Sequence, residues 1–267
     1  MKSFLHNSKL LWEVAKFNAL KTFAYPWDRV AFFAQRAVSL SFLAIFWLAV
    51  ARSSDVALNF RQLIAYFLIA TAVRDLTFAS ETRIGKEIMR LIKYGEISNY
   101  LIKSVGTIPF LFFTYAGQMW VMVVYALAAL SLGIFILPPA SWVNIAAFLV
   151  FIVLAFLVAV SFNFFVAIVS FHVVEAVGIR NVFNHIAQIF SGVLIPLTFF
   201  PSLIRSIVEF SPFPAVAFTP TYVLQNSLAA SELLRLFAIN FAWAAGLLLL
   251  VYFFWKRSLR KYEGVGI

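Results

Sequence analysis

Runs of about twenty apolar residues, the length that crosses the hydrocarbon core of a bilayer, recur along the chain between stops of charge, Pro or Gly. Six stand out, at about 31–51, 63–79, 107–137, 142–174, 182–200 and 236–255. Pro138 and Pro139 part the third from the fourth, because each removes a backbone donor and clashes with the preceding turn. The polar stretches between are short: an arm at 1–29, a charged loop at 80–104, a Pro-rich segment at 201–220 and a basic tail at 256–267. The pattern predicts one all-α, polytopic membrane domain over 1–267, with six transmembrane helices.

The polar stretches carry patterns of their own. In the arm, Leu10, Val14 and Phe17 share one helical face and Lys9, Glu13 and Lys16 another, which predicts an amphipathic interface helix in the headgroup plane. In the charged loop, Ile84, Ile88 and Leu91 repeat at helical spacing from Thr82 to Lys93. Arg83, Lys86, Glu87 and Arg90 cover the rest, and Tyr94-Gly95 supplies a stop. Such a helix has an apolar stripe to bury, on its own bundle, on lipid, or in the groove of a soluble partner, and periodicity alone admits all three. On the far side, Gly192, Pro196, Phe199, Phe200, Pro201, Pro212, Phe213 and Pro220 punctuate the chain, and short helices and turns are expected there instead of a crossing. Leu203, Ile204, Ile207 and Val208 predict a short helix dipping into the outer leaflet, part of a cap over the outer mouth of a pathway.

Composition narrows the class. The chain is 63% hydrophobic and 12% charged, with mean hydropathy +0.94, whereas a water-soluble domain carries about 25% charged residues. A soluble fold is excluded. The absence of Cys removes disulfide and thiolate-metal chemistry, and three His without paired spacing leave no metal site. The net charge of +10 is read as topology and as contact with anionic membrane lipids, not as nucleic-acid binding. Lys2, Lys9, Lys16, Lys21, Arg29, Arg83, Lys86, Arg90, Lys93, Lys103, Arg180, Lys256, Arg257, Arg260 and Lys261 collect on one side. Only Arg52, Arg61, Arg205 and Arg235 fall on the other. Both termini are therefore expected in the cytoplasm of a multi-pass protein of the cytoplasmic (inner) membrane.

Charges within apolar runs are costly, and Arg36, Arg74 and Asp75 stand out for that reason. Arg36 can snorkel to the headgroups or share a depth with Asp75, and an interhelical pair between the two is the working hypothesis. His172 and Glu175 mark the inner end of the fourth run. Asn163, Asn184 and His185 are polar positions of the kind that bind helices together in a membrane. Catalytic signatures are missing: Gly85-Lys86 is followed by Glu87 and preceded five positions earlier by Ser80, so no phosphate-cradling loop is present, and HExxH, GxSxG and dinucleotide fingerprints are absent as well.

Three features together resemble the permease subunits of ABC-2 type transporters, in the branch of six-span exporter permeases whose ATPase is a separate polypeptide. They are Ile92-Lys93-Tyr94-Gly95-Glu96-Ile97 continuing to Tyr100-Leu101-Ile102-Lys103, then Ser191 to Leu197 with Phe199-Phe200-Pro201, Pro212-Phe213 and Pro220, and the end-to-end order of elements. Ser104 stands where the family often has Pro. The resemblance implies a dimer with a second copy or a related permease, and two copies of an ABC ATPase subunit that bind ATP and Mg, with no cofactor in this chain. It also implies that the helix from Thr82 is the coupling helix, contacting the ATPase through Arg83, Ile84, Lys86, Glu87, Ile88, Arg90, Leu91, Tyr94, Gly95 and Glu96, its stripe docked in the ATPase groove. The Pro-rich segment then corresponds to re-entrant helices that shape the exit. The alternative is a secondary carrier or channel independent of ATP, which calls for midplane acids or an internal repeat.

Overall fold

The computed structural model describes residues 2–24, 26–53, 59–77, 83–101, 105–169, 173 and 176–260. Expectations placed on Glu81, Thr82, Lys103, Ser104, His172, Glu175 and Lys261 lie outside them, as do the side chains of Arg83 and Ile84. Among the described residues the chain is helical, with no strand: α1 Lys2–Lys21, α2 Pro26–Ser53, α3 Phe60–Leu76, α4 Arg83–Lys93, α5 Ser98–Leu101, α6 Thr107–Gln118, α7 Trp120–Ile136, α8 Trp142–Ile168, α9 Ala176–Phe190, α10 Ser202–Glu209, α11 Phe218–Gln225 and α12 Ala230–Arg260.

Local chemistry sets several boundaries. Asn59 caps α3, its side chain accepting from the amides of Arg61 and Gln62 at 3.1 and 3.4 Å. α7 stops at Ile136 because Leu137 precedes Pro138 and is driven to extended backbone, φ −131° and ψ 94°. Ser141 then caps α8 by accepting from the Asn144 amide.

Three helices are long and apolar enough to cross a membrane unaided, over Pro26–Val50, Trp142–Ile168 and Ala230–Ser258. The expected third crossing is the pair α6 and α7, bent by 62° at Met119, and counts as a fourth only if the two are one span. The expected second and fifth crossings are short. α3 has 17 residues and α9 has 15, so at about 1.5 Å per residue they span roughly 26 and 22 Å of an about 30 Å core. α9 also begins six residues before the expected 182 and ends ten before the expected 200, since Gly192 turns the chain at φ 85° and Pro196 follows. A left-handed turn of this kind suits Gly alone here, because a Cβ would lie 2.8 Å from Phe218 Cβ and from the Tyr66 hydroxyl.

α8 is the centre of the bundle: it packs on α12, α11, α4 and α9. α3 packs along α7, and α11 bridges α3 to α8. The crossing is close at Gly133 of α7, where a Cβ would lie 2.6 Å from Ile69 Cγ1, and closer still at Gly117 of α6, which lies against the backbone of Ala15 in α1. α1 rests on α6, with Trp120 stacked on Phe23 at 5.0 Å and Gln118 donating to Asn18 at 3.4 Å. The face that α1 turns inward runs through Leu11, Val14, Ala15 and Asn18, one position off the expected stripe, and Phe17 and Trp12 remain exposed. α2 touches the bundle chiefly along α3.

Candidate functional site

At the basic end of the bundle, α4 begins at Arg83 and ends at Lys93, one residue from the sequence expectation at its start. Two residues of its apolar stripe, Ile88 and Leu91, are covered by its own chain. Ile88 and Leu91 are buried in a cluster with Met119, Met122, Phe164 and Ile168, and Gly85 lies against the backbone of Asn163 in α8. The expectation that this stripe docks in a partner's groove is therefore corrected at Ile88 and Leu91: the bundle offers α4 a complementary apolar floor in α6 and α8, and burial there removes both residues from any other surface. Lys86, Arg90, Lys93 and Tyr94 form the outward face.

That face is held in one shape. Arg90 donates to both carboxylate oxygens of Glu87 at 2.9 and 2.6 Å and reaches Glu96 at 2.9 Å, across the turn that Gly95 makes at φ 72°. The paired guanidinium holds the Glu87 carboxyl below its usual range and, in return, Glu87 first and then Glu96 raise Arg90. α4 packs on α8, α6 and α9. Of these, α8 and α9 also line the cavity of the bundle.

Inside the bundle, a cavity of about 530 Å³ opens among α2, α3, α7, α8, α9 and the loop after α10. α2 contributes Phe32, Gln35 and Arg36, α3 contributes Arg74, and α8 contributes Phe162 and Asn163. One face of α9 supplies Arg180, Asn181, Asn184, His185 and Gln188. These side-chain donors and acceptors, repeated at helical spacing, give the cavity a polar wall along α9. The interhelical pair is formed: Arg36 Nη2 donates to Asp75 Oδ1 at 3.0 Å, and Asp75 is wholly buried. Arg36 also lies over the rings of Phe32 and Tyr125, at 5.2 and 5.9 Å. His185 Nδ1 is 2.6 Å from the Asn181 carbonyl, which can only accept, so Nδ1 donates and Nε2 is left for another partner.

The Pro-rich segment borders part of the cavity. Ser191, Pro212 and Phe213 line it there, and Phe213 stands 5.7 Å from Phe162 and 6.4 Å from Phe190. Long-range bonds pin the segment: Tyr66 donates to the Gly192 carbonyl at 2.7 Å, the Phe218 amide to Ser191 at 2.9 Å, Trp47 Nε1 to Leu194 at 3.2 Å and Trp243 Nε1 to the Phe210 carbonyl at 2.7 Å. Trp47 stacks on Phe199 at 4.8 Å, and Phe200 lies 5.9 Å from Phe190. Pro196 and Pro220 are buried, whereas Pro201 is exposed at the start of α10. α10 is the expected short amphipathic helix, with Leu203, Ile204 and Ile207 facing outward and Val208 inward.

Sequence reasoning reached Arg36, Arg74, Asp75 and Phe213, but missed Gln35, Asn181 and Gln188 as wall residues and placed Arg180 in a loop. The available signal was the 181, 184, 185, 188 spacing, legible once α9 is known to begin at Ala176. Comparison with curated proteins and comparison with solved structures each returned no match. The family described as ABC-2 family transporter protein does match, over residues 37–266, a stretch that includes Arg74, Asp75, α4, α9 and the Pro-rich cap. The chain therefore belongs to the ABC-2 transporter family, as a membrane permease component that is not itself the ATPase.

Proposed function

We propose that this chain is the permease of an ATP-driven exporter, moving a substrate outward across the inner membrane with both termini in the cytoplasm. In this reading a separate ABC ATPase subunit, two copies per complex, binds ATP and magnesium and docks on the outward face of α4. The permease works as a dimer, with a second copy or a related permease. The observation that carries the proposal is the mechanical one: α4 presents a clamped polar face to the outside while its other face is embedded in α8 and touches α9, and both of those wall the cavity. Nucleotide need only favour one position of α4 to favour one shape of the cavity. Opening then requires the aromatic contacts of Phe213 with Phe162 and Phe190 to part.

Charge reversal on the exposed face tests this. Lys86→Glu combined with Lys93→Glu is expected to abolish copurification with the cognate ATPase and stimulation of its turnover, while leaving insertion and thermal stability intact. Retained stimulation overturns the docking face. Substrate movement in vesicles free of any nucleotide hydrolase overturns the exporter reading and supports a carrier or channel.

A further inference from the structure

The cavity has a charge problem that the protein itself does not solve. Arg36, Arg74 and Arg180 all contribute to its lining, and Asp75 forms its ion pair with Arg36. Arg74 Nε and both Arg180 Nε and Nη1 are buried and lack a hydrogen-bond partner among the described residues. Buried guanidinium groups left in this state are costly, and an anion with several acceptor oxygens relieves the cost. The side-chain amides of Asn181, Asn184 and Gln188 add neutral donors on the same wall.

A second cavity, of about 610 Å³, adjoins the first, and the two share Arg36 and Arg74. Its other lining is almost wholly apolar, including Val38, Phe42, Leu43, Phe46, Leu194 and Ile195. Much of this wall belongs to α2, whose outward residues Val38 and Phe42 are 68% and 71% exposed. A ligand entering here can keep an apolar portion among these side chains while its polar end passes the arginines. Arg36 lies ten residues beyond Pro26, about 15 Å along the helix from its basic end, a depth at which a bare phosphate gains nothing from the adjoining apolar space.

The geometry points to an anionic amphiphile as the occupant: a phosphate-type headgroup bound between Arg74 and Arg180, with its hydrocarbon chain in the α2 cavity. This inference rests on the permease reading above and names the substrate class for it. The two cavities divide the ligand between them, and the arginines they share mark the junction of headgroup and chain.

The test uses the full chain in phosphatidylcholine nanodiscs and a phosphatidic acid carrying a photoreactive group on its acyl chain, with the phosphatidylcholine of the same chains as control. Saturable labelling of 38–46 and 193–195 by the phosphatidic acid probe is expected, and only non-saturable labelling by the control. Arg74→Gln and Arg180→Gln are each expected to weaken the saturable component about tenfold, with Arg74→Lys retaining most of it, and inorganic phosphate is expected not to compete. Equal labelling by both lipids, or labelling unchanged in the Gln variants, overturns the inference; full competition by inorganic phosphate overturns it in favour of a free-anion site. If Arg74→Gln does not fold, Arg180→Gln and the comparison of headgroups on the unaltered chain still decide. Labelling needs no ATPase, so its failure leaves the docking face of α4 standing, and a failed copurification leaves the lipid site standing.

Discussion

α2 and α3 follow one another in the chain, and each combines apolar residues with a charged residue at membrane depth, yet their surroundings are opposite. α2 is 28 residues long and stands at the edge, with Phe42 and Ile45 exposed. α3 is 17 residues long and enclosed, with Ala65, Ile69, Ala70, Ala72 and Val73 inaccessible. The difference lies in side-chain size, since lipid is as apolar as Leu and gives helices no hydrophobic reason to associate. Ala65 lies against Gly133 of α7 and Ala72 clusters with Ala126 and Ala129 of the same helix, while Thr71 satisfies its hydroxyl on the Phe67 carbonyl at 2.6 Å. The Phe side chains of α2 forbid such an approach and form the wall of an open cavity instead.

The sharpest break in this contrast is the ion pair between Arg36 of α2 and Asp75 of α3. Asp75→Asn leaves Arg36 uncompensated and is expected to cost about 3–5 kcal/mol, read as a lowered midpoint of thermal unfolding in detergent. The charge swap Arg36→Asp with Asp75→Arg should be better tolerated than either single change; equal damage would mean that the pair contributes nothing. Next in size is Gly133→Leu, which drives a side chain into Ile69 and is expected to cost about 3 kcal/mol or to prevent folding. Unaltered stability would show that α3 and α7 do not cross so closely.

Tyr66→Phe removes the hydroxyl that holds Gly192 and leaves a buried carbonyl unmet. A loss of about 1–2 kcal/mol is expected, with faster proteolysis in the Pro-rich segment than elsewhere as the specific readout. Smallest of all is Phe42→Leu on the outward side of α2, expected to shift stability by less than about 0.5 kcal/mol. A loss comparable to that at Gly133 would place α2 in a protein interface and not at an open cavity.

Much of this architecture was legible in the residues. The 84, 88, 91 spacing located α4 to within one residue, and the Pro clusters announced the turns around α10 and α11. Depth alone brought Arg36 and Asp75 together. Other features left no local mark. Met119 carries no signal of a 62° bend, because Gly117 beside it is common in membrane helices and the break is made by packing. The partner of the α4 stripe was equally hidden, since an amphipathic helix records only that one face must be covered and not by what. The cavity is assembled from six separate parts of the chain, and residues as distant as Arg36 and Arg180 share it only once α2 and α9 are both in place.

Hydrophobic length, charge bias and Pro position thus suffice to establish a polytopic helical membrane domain with a basic end and a broken outer segment, because each of these acts through the solvent and through local backbone sterics, which any stretch of chain meets on its own. Which helix faces lipid, which face of α4 is left outward and where three arginines converge were decided by tertiary packing. In a bilayer, close approach of small residues and satisfaction of polar groups choose among arrangements that hydrophobicity treats as equal.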